Sequence, residues 1–281
     1  MRKPAFALIA LFCAASATLL TARADDPLLK SPSHSTVRLE PVDVPPDSGE
    51  RKVALEIRLA PGYKTYWRTP GDSGVPPTFD WSKSDNLASV TVRWPAPKRF
   101  SDGDGYANGY SDRVLFPLNV VARDKDKPLL LALKLDYAVC KDICIPASTE
   151  TTLRLPAAGE GVSVPLAPLN DADLPRRVAM GQALDGLAIT AVDGPVDALV
   201  VKARLPSGSP DADLFVEGPD GWLFGKPTMT VDNDGTALFR VPLTDHPSGP
   251  SAPQVPLLFT LVDAGRAIEV VADLDANLPA R

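Results

Sequence analysis

The sequence predicts an all-β chain: two antiparallel β-sandwiches joined by a linker with one short helix. Three observations lead there. Short runs alternate apolar and polar residues with a period of two, turn clusters separate them, and 30 prolines stand against few aromatic residues (4 Trp, 5 Tyr, 9 Phe). A half-buried strand needs that alternation, because successive side chains point to opposite faces. Proline-rich spacing at short intervals suits strands and turns better than a helical bundle.

Arg2 and Lys3 form a positive n-region, Ala5 to Leu20 is apolar or small, and Ala22-Arg23-Ala24 is a small-x-small cleavage site before Asp25-Asp26. That order is a secretory signal peptide over residues 1–24, cut after Ala24. Cys13 is expected to leave with it. Beyond Ala24 no apolar run is long enough to cross a bilayer, so no membrane insertion is expected after cleavage. Losing Arg2, Lys3 and Arg23 moves the formal net charge from -6 to -9 (-6 minus 3). An acidic chain without a basic patch argues against nucleic acid or anionic lipid as a partner.

In the first sandwich, residues 25–160, Val53, Leu55, Ile57 and Leu59 alternate with Ala54, Glu56, Arg58 and Ala60, and Pro61-Gly62 closes that strand. Further strands are expected at Thr78–Trp81, Ser89–Trp94, Val114–Ala122, Leu129–Tyr137 and Thr149–Leu155. Pro70-Gly71-Asp72-Ser73-Gly74 and Pro76-Pro77 mark turns. Residues 161–186 form the linker. Within it Asp171 to Leu184 is expected to be helical, with Asp173 as N-cap, Pro175 in the first turn and Gly186 as a stop. The second sandwich, residues 187–281, has strands at Leu199–Leu205, Asp213–Glu217, Pro227–Val231, Thr236–Val241, Leu257–Val262 and Ile268–Val271. Asp234-Gly235 is its strongest hairpin signal.

The mature chain keeps two cysteines, Cys140 and Cys144. An even count in an exported protein favours a disulfide. Fully extended, their Cα atoms would be about 13 Å apart, so a bond requires a sharp turn, which Lys141-Asp142 can supply. Closing about five residues gains only about 2 kcal/mol in the chain-entropy model, which makes the bond a modest staple. Redox exchange, a structural bond and Cu(I) binding by two thiolates all remain open at this point. No histidine or methionine lies near the pair in sequence, His34 and His246 read as solvated loop residues, and no zinc-type ligand set can be assembled.

Three segments carry a resemblance. Tyr137-Ala-Val-Cys-Lys-Asp-Ile-Cys-Ile-Pro146, Pro61-Gly-Tyr-Lys-Thr-Tyr-Trp-Arg-Thr-Pro-Gly-Asp-Ser-Gly-Val-Pro-Pro77 and Trp94-Pro-Ala-Pro-Lys-Arg-Phe100 resemble, in order, the N-terminal domain of the DsbD/ScsB-type periplasmic thiol:disulfide interchange proteins. The resemblance covers roughly residues 30–160. More weakly, residues 187–281 resemble the second immunoglobulin-like domain of the ScsB branch.

The resemblance implies immunoglobulin-like sandwiches, a periplasmic location and a protein-disulfide reductase type of exchange. Cys144 would be the sulfur attacked and Cys140 the resolving partner, with no cofactor and no metal. The implied partners are thioredoxin-like donor and acceptor proteins. Family members continue into membrane and thioredoxin-like domains where this sequence stops, so a membrane-linked donor would be encoded separately. Copper tolerance, cytochrome c biogenesis and general disulfide reduction all remain open as roles. The family also shields its disulfide under a mobile cap loop with an aromatic tip. The matching stretch is Ser101 to Gly109, with Tyr106 as the candidate lid residue. Tyr63 or Tyr66 is expected beside the cysteines, Trp67 and Trp81 in the core, and Asp112 and Arg113 in structural roles.

Overall fold

The computed structural model describes residues 33–42, 50–103, 105–157, 160, 174–206, 208, 210–247 and 254–275. The expected signal peptide lies outside them, as does the start of the expected helix, 171–173. The strands, in chain order, are β1 (Ser35–Pro41), β2 (Glu50–Leu59), β3 (Lys64–Gly71), β4 (Thr78–Asp80), β5 (Leu87–Val92), β6 (Lys98–Asp102), β7 (Gly105–Ser111), β8 (Arg113–Ala122), β9 (Leu129–Cys140) and β10 (Cys144–Leu155). Then follow β11 (Arg176–Arg177), β12 (Ala188–Asp193), β13 (Ala198–Arg204), β14 (Asp213–Glu217), β15 (Leu223–Phe224), β16 (Thr228–Val231), β17 (Ala237–Asp245), β18 (Gln254–Asp263) and β19 (Arg266–Asp275).

β1 to β10 form one sandwich of two sheets, ordered β1-β2-β8-β5 and β10-β9-β3-β7-β6, with β4 also paired to β9. Alternation decides which faces meet. Leu129, Leu131, Leu133, Leu135 and Tyr137 of β9 point inward, against Val53, Leu55 and Ile57 of β2 and Phe116, Leu118 and Val120 of β8. Each such side chain, fully buried, contributes about 1.5–3 kcal/mol. Phe79, Trp94, Tyr110 and Phe116 meet edge-on, at centroid separations of 5.2–6.4 Å, the arrangement that aromatic quadrupoles favour.

The second sandwich has sheets β11-β19-β18-β14 and β12-β13-β17-β15, with β16 also on β17. Its core includes Leu187, Val201, Phe239, Phe259 and Ile268. Asp234-Gly235 does turn β16 into β17, with Gly235 at φ 85°. The expected helix is absent from the described part of its range. Arg176–Arg177 instead run parallel to β19, and Val178 donates to the Glu269 carbonyl at 2.9 Å. A sheet edge with free backbone groups therefore outweighs the local helix signals of Pro175 and Gly186.

The sandwiches touch through side chains as well. Phe215 of β14 is buried with the first core and meets Trp67 edge-on at 5.5 Å. Arg68 of β3 bonds both Glu217 (2.7 and 2.8 Å) and Glu269 (2.8 Å). Arg99 of β6 holds Asp213 in a two-pronged pair at 2.8 and 3.1 Å.

Glu56 of β2, 1 % exposed, lies between Arg58 and Arg113 and bonds both. Burial alone would raise its carboxyl, but the two guanidiniums outweigh it and hold the group below its ordinary value. A depressed folded value means the stabilisation is complete above the unfolded value of about 4.3 and is lost as pH falls through the folded one. Glu56→Gln should lower unfolding stability at pH 7 by about 1.5–3 kcal/mol, measured by urea titration. The gap from the unsubstituted chain should close as the titration is repeated toward pH 3.

Candidate functional site

β9 ends at Cys140 and β10 begins at Cys144, and the register sets the two residues directly opposite each other. The backbone of Lys141-Asp142-Ile143 turns between them, with Lys141 donating to the Ile143 carbonyl at 3.4 Å. The Cα atoms lie 4.1 Å apart and the sulfurs are bonded. A cross-strand pair needs no other element to bring its sulfurs together, because the ladder from Ile145↔Val139 to Leu155↔Leu129 fixes the register. Here the strands extend further toward the turn than alternation alone predicts, since Ala138 to Cys140 and Cys144 to Ser148 belong to the ladder.

The two sulfurs differ in environment. Cys140 is 5 % exposed and packs with Tyr66, Ala107 and Ala138, whereas Cys144 is exposed. Ile143, beside it, is 78 % exposed, large and apolar at the tip of the turn.

Tyr66 closes the site from β3. Its hydroxyl donates to Cys140 Sγ at 2.8 Å and lies 3.1 Å from Cys144 Sγ, so one phenol spans the bond. Burial, and behind it the charge of Asp102, pushes the Tyr66 phenol above its usual value, which keeps the proton on oxygen at neutral pH. Two close approaches make this placement possible. A side chain at Gly109 would come within 2.0 Å of the Thr65 carbonyl, so only glycine lets β7 lie this near β3. A side chain at Gly74 would reach within 2.6 Å of the Tyr66 ring, so the backbone at Gly74 lies close against that ring.

The other expected residues fall around this centre. Tyr63 stacks on His34 at 4.5 Å, and Lys141 Nζ lies 5.9 Å from its ring, so Tyr63 flanks the cysteine turn. His34 is thus a packed residue, unlike the solvated one expected. Lys64 stands opposite Cys140 in the β3–β9 register. Ser101 to Gly109 is a hairpin of β6 and β7. Tyr106 on it donates to the Phe224 carbonyl of β15 at 2.9 Å; the aromatic hydroxyl at the sulfurs is that of Tyr66. Trp67 is fully buried and Trp81 packs on the same core, while Arg113 pairs with Glu56. Asp72, Ser73 and Asp102, which tie the 71–74 segment to the hairpin, were legible only as turn residues. Among the described residues no cluster of three metal-ligating side chains occurs, and no helix is long and apolar enough to cross a membrane.

Residues 36–156 match the family described as thiol:disulfide interchange protein DsbD, N-terminal. Residues 179–277 match a domain of unknown function, DUF8393. Comparison with curated proteins gives no match. Among solved structures, the N-terminal periplasmic domain of ScsB from Proteus mirabilis superposes with a TM-score of 0.63 at 23 % identity, over 86 % of this chain and 92 % of that one. The C-terminal domain of the Streptococcus agalactiae antigen I/II polypeptide BspA gives a TM-score of only 0.18 at 9 % identity, over 85 % of this chain and 99 % of that one. The likeness to the ScsB domain is one of fold. Residues 36–156 thus carry the match to the DsbD N-terminal family, and the fold is that of the ScsB periplasmic domain.

Proposed function

We propose that this chain is a periplasmic thiol–disulfide exchange module of the protein-disulfide reductase type, working through Cys140 and Cys144. The observation that carries this is the asymmetry of the bonded pair: an exposed Cys144 joined to a buried Cys140, with the Tyr66 hydroxyl across both sulfurs. Exchange requires one sulfur open to in-line attack and a leaving sulfur whose negative charge is stabilised.

In the oxidised state a donor thiolate attacks Cys144 Sγ. The S–S bond breaks and its electron pair goes to Cys140, toward which Tyr66 directs its O–H. A second donor thiol then attacks the mixed disulfide and releases Cys144. The donor is left oxidised, and the pair has gained two electrons and two protons. In the reduced state Cys144 attacks an oxidised acceptor. Cys140, four residues away and held opposite, then attacks Cys144, restores the intramolecular bond and frees the reduced acceptor. The partners this chemistry fits are thioredoxin-like, with a membrane-linked donor. The exposed Ile143 offers such a partner an apolar contact beside the reacting sulfur. Export by the residue 1–24 signal peptide places the chain in the same compartment.

Cys140→Ser should trap oxidised thioredoxin-like proteins as a stable mixed disulfide through Cys144, seen on non-reducing gels of periplasmic extract. Cys144→Ser, whose remaining thiol is buried, should trap little. Equal trapping by both variants would overturn the division of roles, and no adduct with either would overturn exchange itself.

Tyr66→Phe removes one hydrogen bond to the leaving sulfur and leaves the ring in place. It should slow reduction by a thioredoxin-type dithiol about tenfold, on the scale of one such bond to a charged group, with the fold intact by circular dichroism.

A further inference from the structure

Tyr66 does not hold its position alone. The 71–74 segment lies on its ring at Gly74, and that segment is fastened to the β6–β7 hairpin. The Asp72 amide donates to the Tyr106 carbonyl at 3.0 Å, the Tyr106 amide donates to Asp72 Oδ2 at 3.2 Å, and Ser73 donates to Asp102. The Tyr106 ring packs on Gly71, where an added side chain would come within 3.0 Å of it.

The hairpin, in turn, is fastened to the second sandwich. The Tyr106 hydroxyl donates to the Phe224 carbonyl. The Arg99 guanidinium lies between the rings of Tyr106 and Phe215, 4.6 Å from each. It grips Asp213 with two bonds and donates to the Leu214 carbonyl at 3.0 Å. Its side chain is 8 % exposed, so these charge-assisted bonds are formed largely out of water, where they are strongest. Arg68, two residues from Tyr66 on the same strand, is held by Glu217 and Glu269, and Thr69 donates to Glu217 at 2.7 Å.

We propose that the second sandwich is a brace that sets how firmly the Tyr66 hydroxyl is held on the two sulfurs, with Tyr106 and Arg99 as the positioning residues that transmit its hold. The path is a contiguous set of contacts, from Asp213 and Phe224 through the hairpin and the 71–74 segment to the phenol on the sulfurs. A displacement of the second sandwich, by a docking partner for example, would loosen that hydroxyl without any change in the β9–β10 pairing. This deepens the exchange reading by naming what positions the hydrogen-bond donor of its site.

Small-thiol kinetics on the full chain test it. Dithiothreitol attacks the bond, is itself oxidised to the cyclic disulfide and leaves two protonated cysteines, so its second-order rate reports how readily the bond is cleaved without any physiological partner. Tyr106→Phe deletes the hydroxyl's bonds to Phe224 and to Arg99, and Asp213→Asn weakens the grip on Arg99. Each should lower the rate about three- to tenfold, the range set by weakening one hydrogen bond to the leaving sulfur, while the circular dichroism spectrum stays unchanged. Faster hydrogen exchange at the Tyr106 amide should accompany it. Lys83→Met, which removes an exposed ion pair to Glu150, should leave the rate alone. In a Tyr66→Phe background the two substitutions should have less effect, because they act through Tyr66.

An unchanged rate in both Tyr106→Phe and Asp213→Asn, with both folded, would overturn the brace. So would an equal slowing by Lys83→Met. Slowing in these variants alongside a Cys140→Ser protein that traps nothing would keep the brace and defeat the exchange function, so the two failures are distinguishable.

Discussion

The antiparallel pairing of β9 with β10 is the constraint on which the site depends. Because Cys144 sits in register with Cys140, the ladder itself holds the sulfurs within bonding reach, in the dithiol as in the disulfide. The leucines of β9 anchor that ladder in the first core. Reduction therefore removes a link that closes only a five-residue loop, worth about 2 kcal/mol, and leaves the hydrophobic packing untouched. An electron carrier needs that separation between fold stability and redox state, since it must survive many cycles in both forms.

The fold also makes the two sulfurs unequal. β9 runs through the sheet between β10 and β3, so Cys140 is covered from both sides, whereas β10 is an edge strand and Cys144 opens to solvent. An edge position usually invites unwanted pairing. Here it presents a sulfur, an exposed Ile143 and the free edge of a strand in one place. Tyr66 reaches the same point from β3, and the closeness of β7 at Gly109 keeps it there. Glycine at 109 and 74 thus shapes chemistry several residues away from either.

Much of this was legible in the letters, for identifiable reasons. The period-two runs of β2 and β9 reported the core face, and Asp234-Gly235 reported its hairpin, because those signals are local. The cysteine spacing announced a turn, and the family resemblance placed Tyr63 or Tyr66 beside it. Which of those aromatics reaches the sulfurs was not legible, since it depends on β3 lying beside β9, a pairing made across more than 70 residues. The helix expected at 171–184 failed over its described part, because the edge of β19 offered Arg176 and Arg177 backbone partners. The contacts of Arg68 and Arg99 with acids more than 110 residues away left no sequence signal at all. Tyr106 was picked out through the family resemblance, as the aromatic of the expected cap loop, and the structure gives that ring to the border between the sandwiches.

The midpoint potential of the Cys140–Cys144 pair, measured by equilibration with glutathione buffers, goes to the centre of the matter. A pair that carries electrons between proteins should fall within about −270 to −120 mV, the span of exchange proteins. A midpoint below about −300 mV, where structural bonds resist the glutathione pool, would contradict it and leave the bond a simple staple.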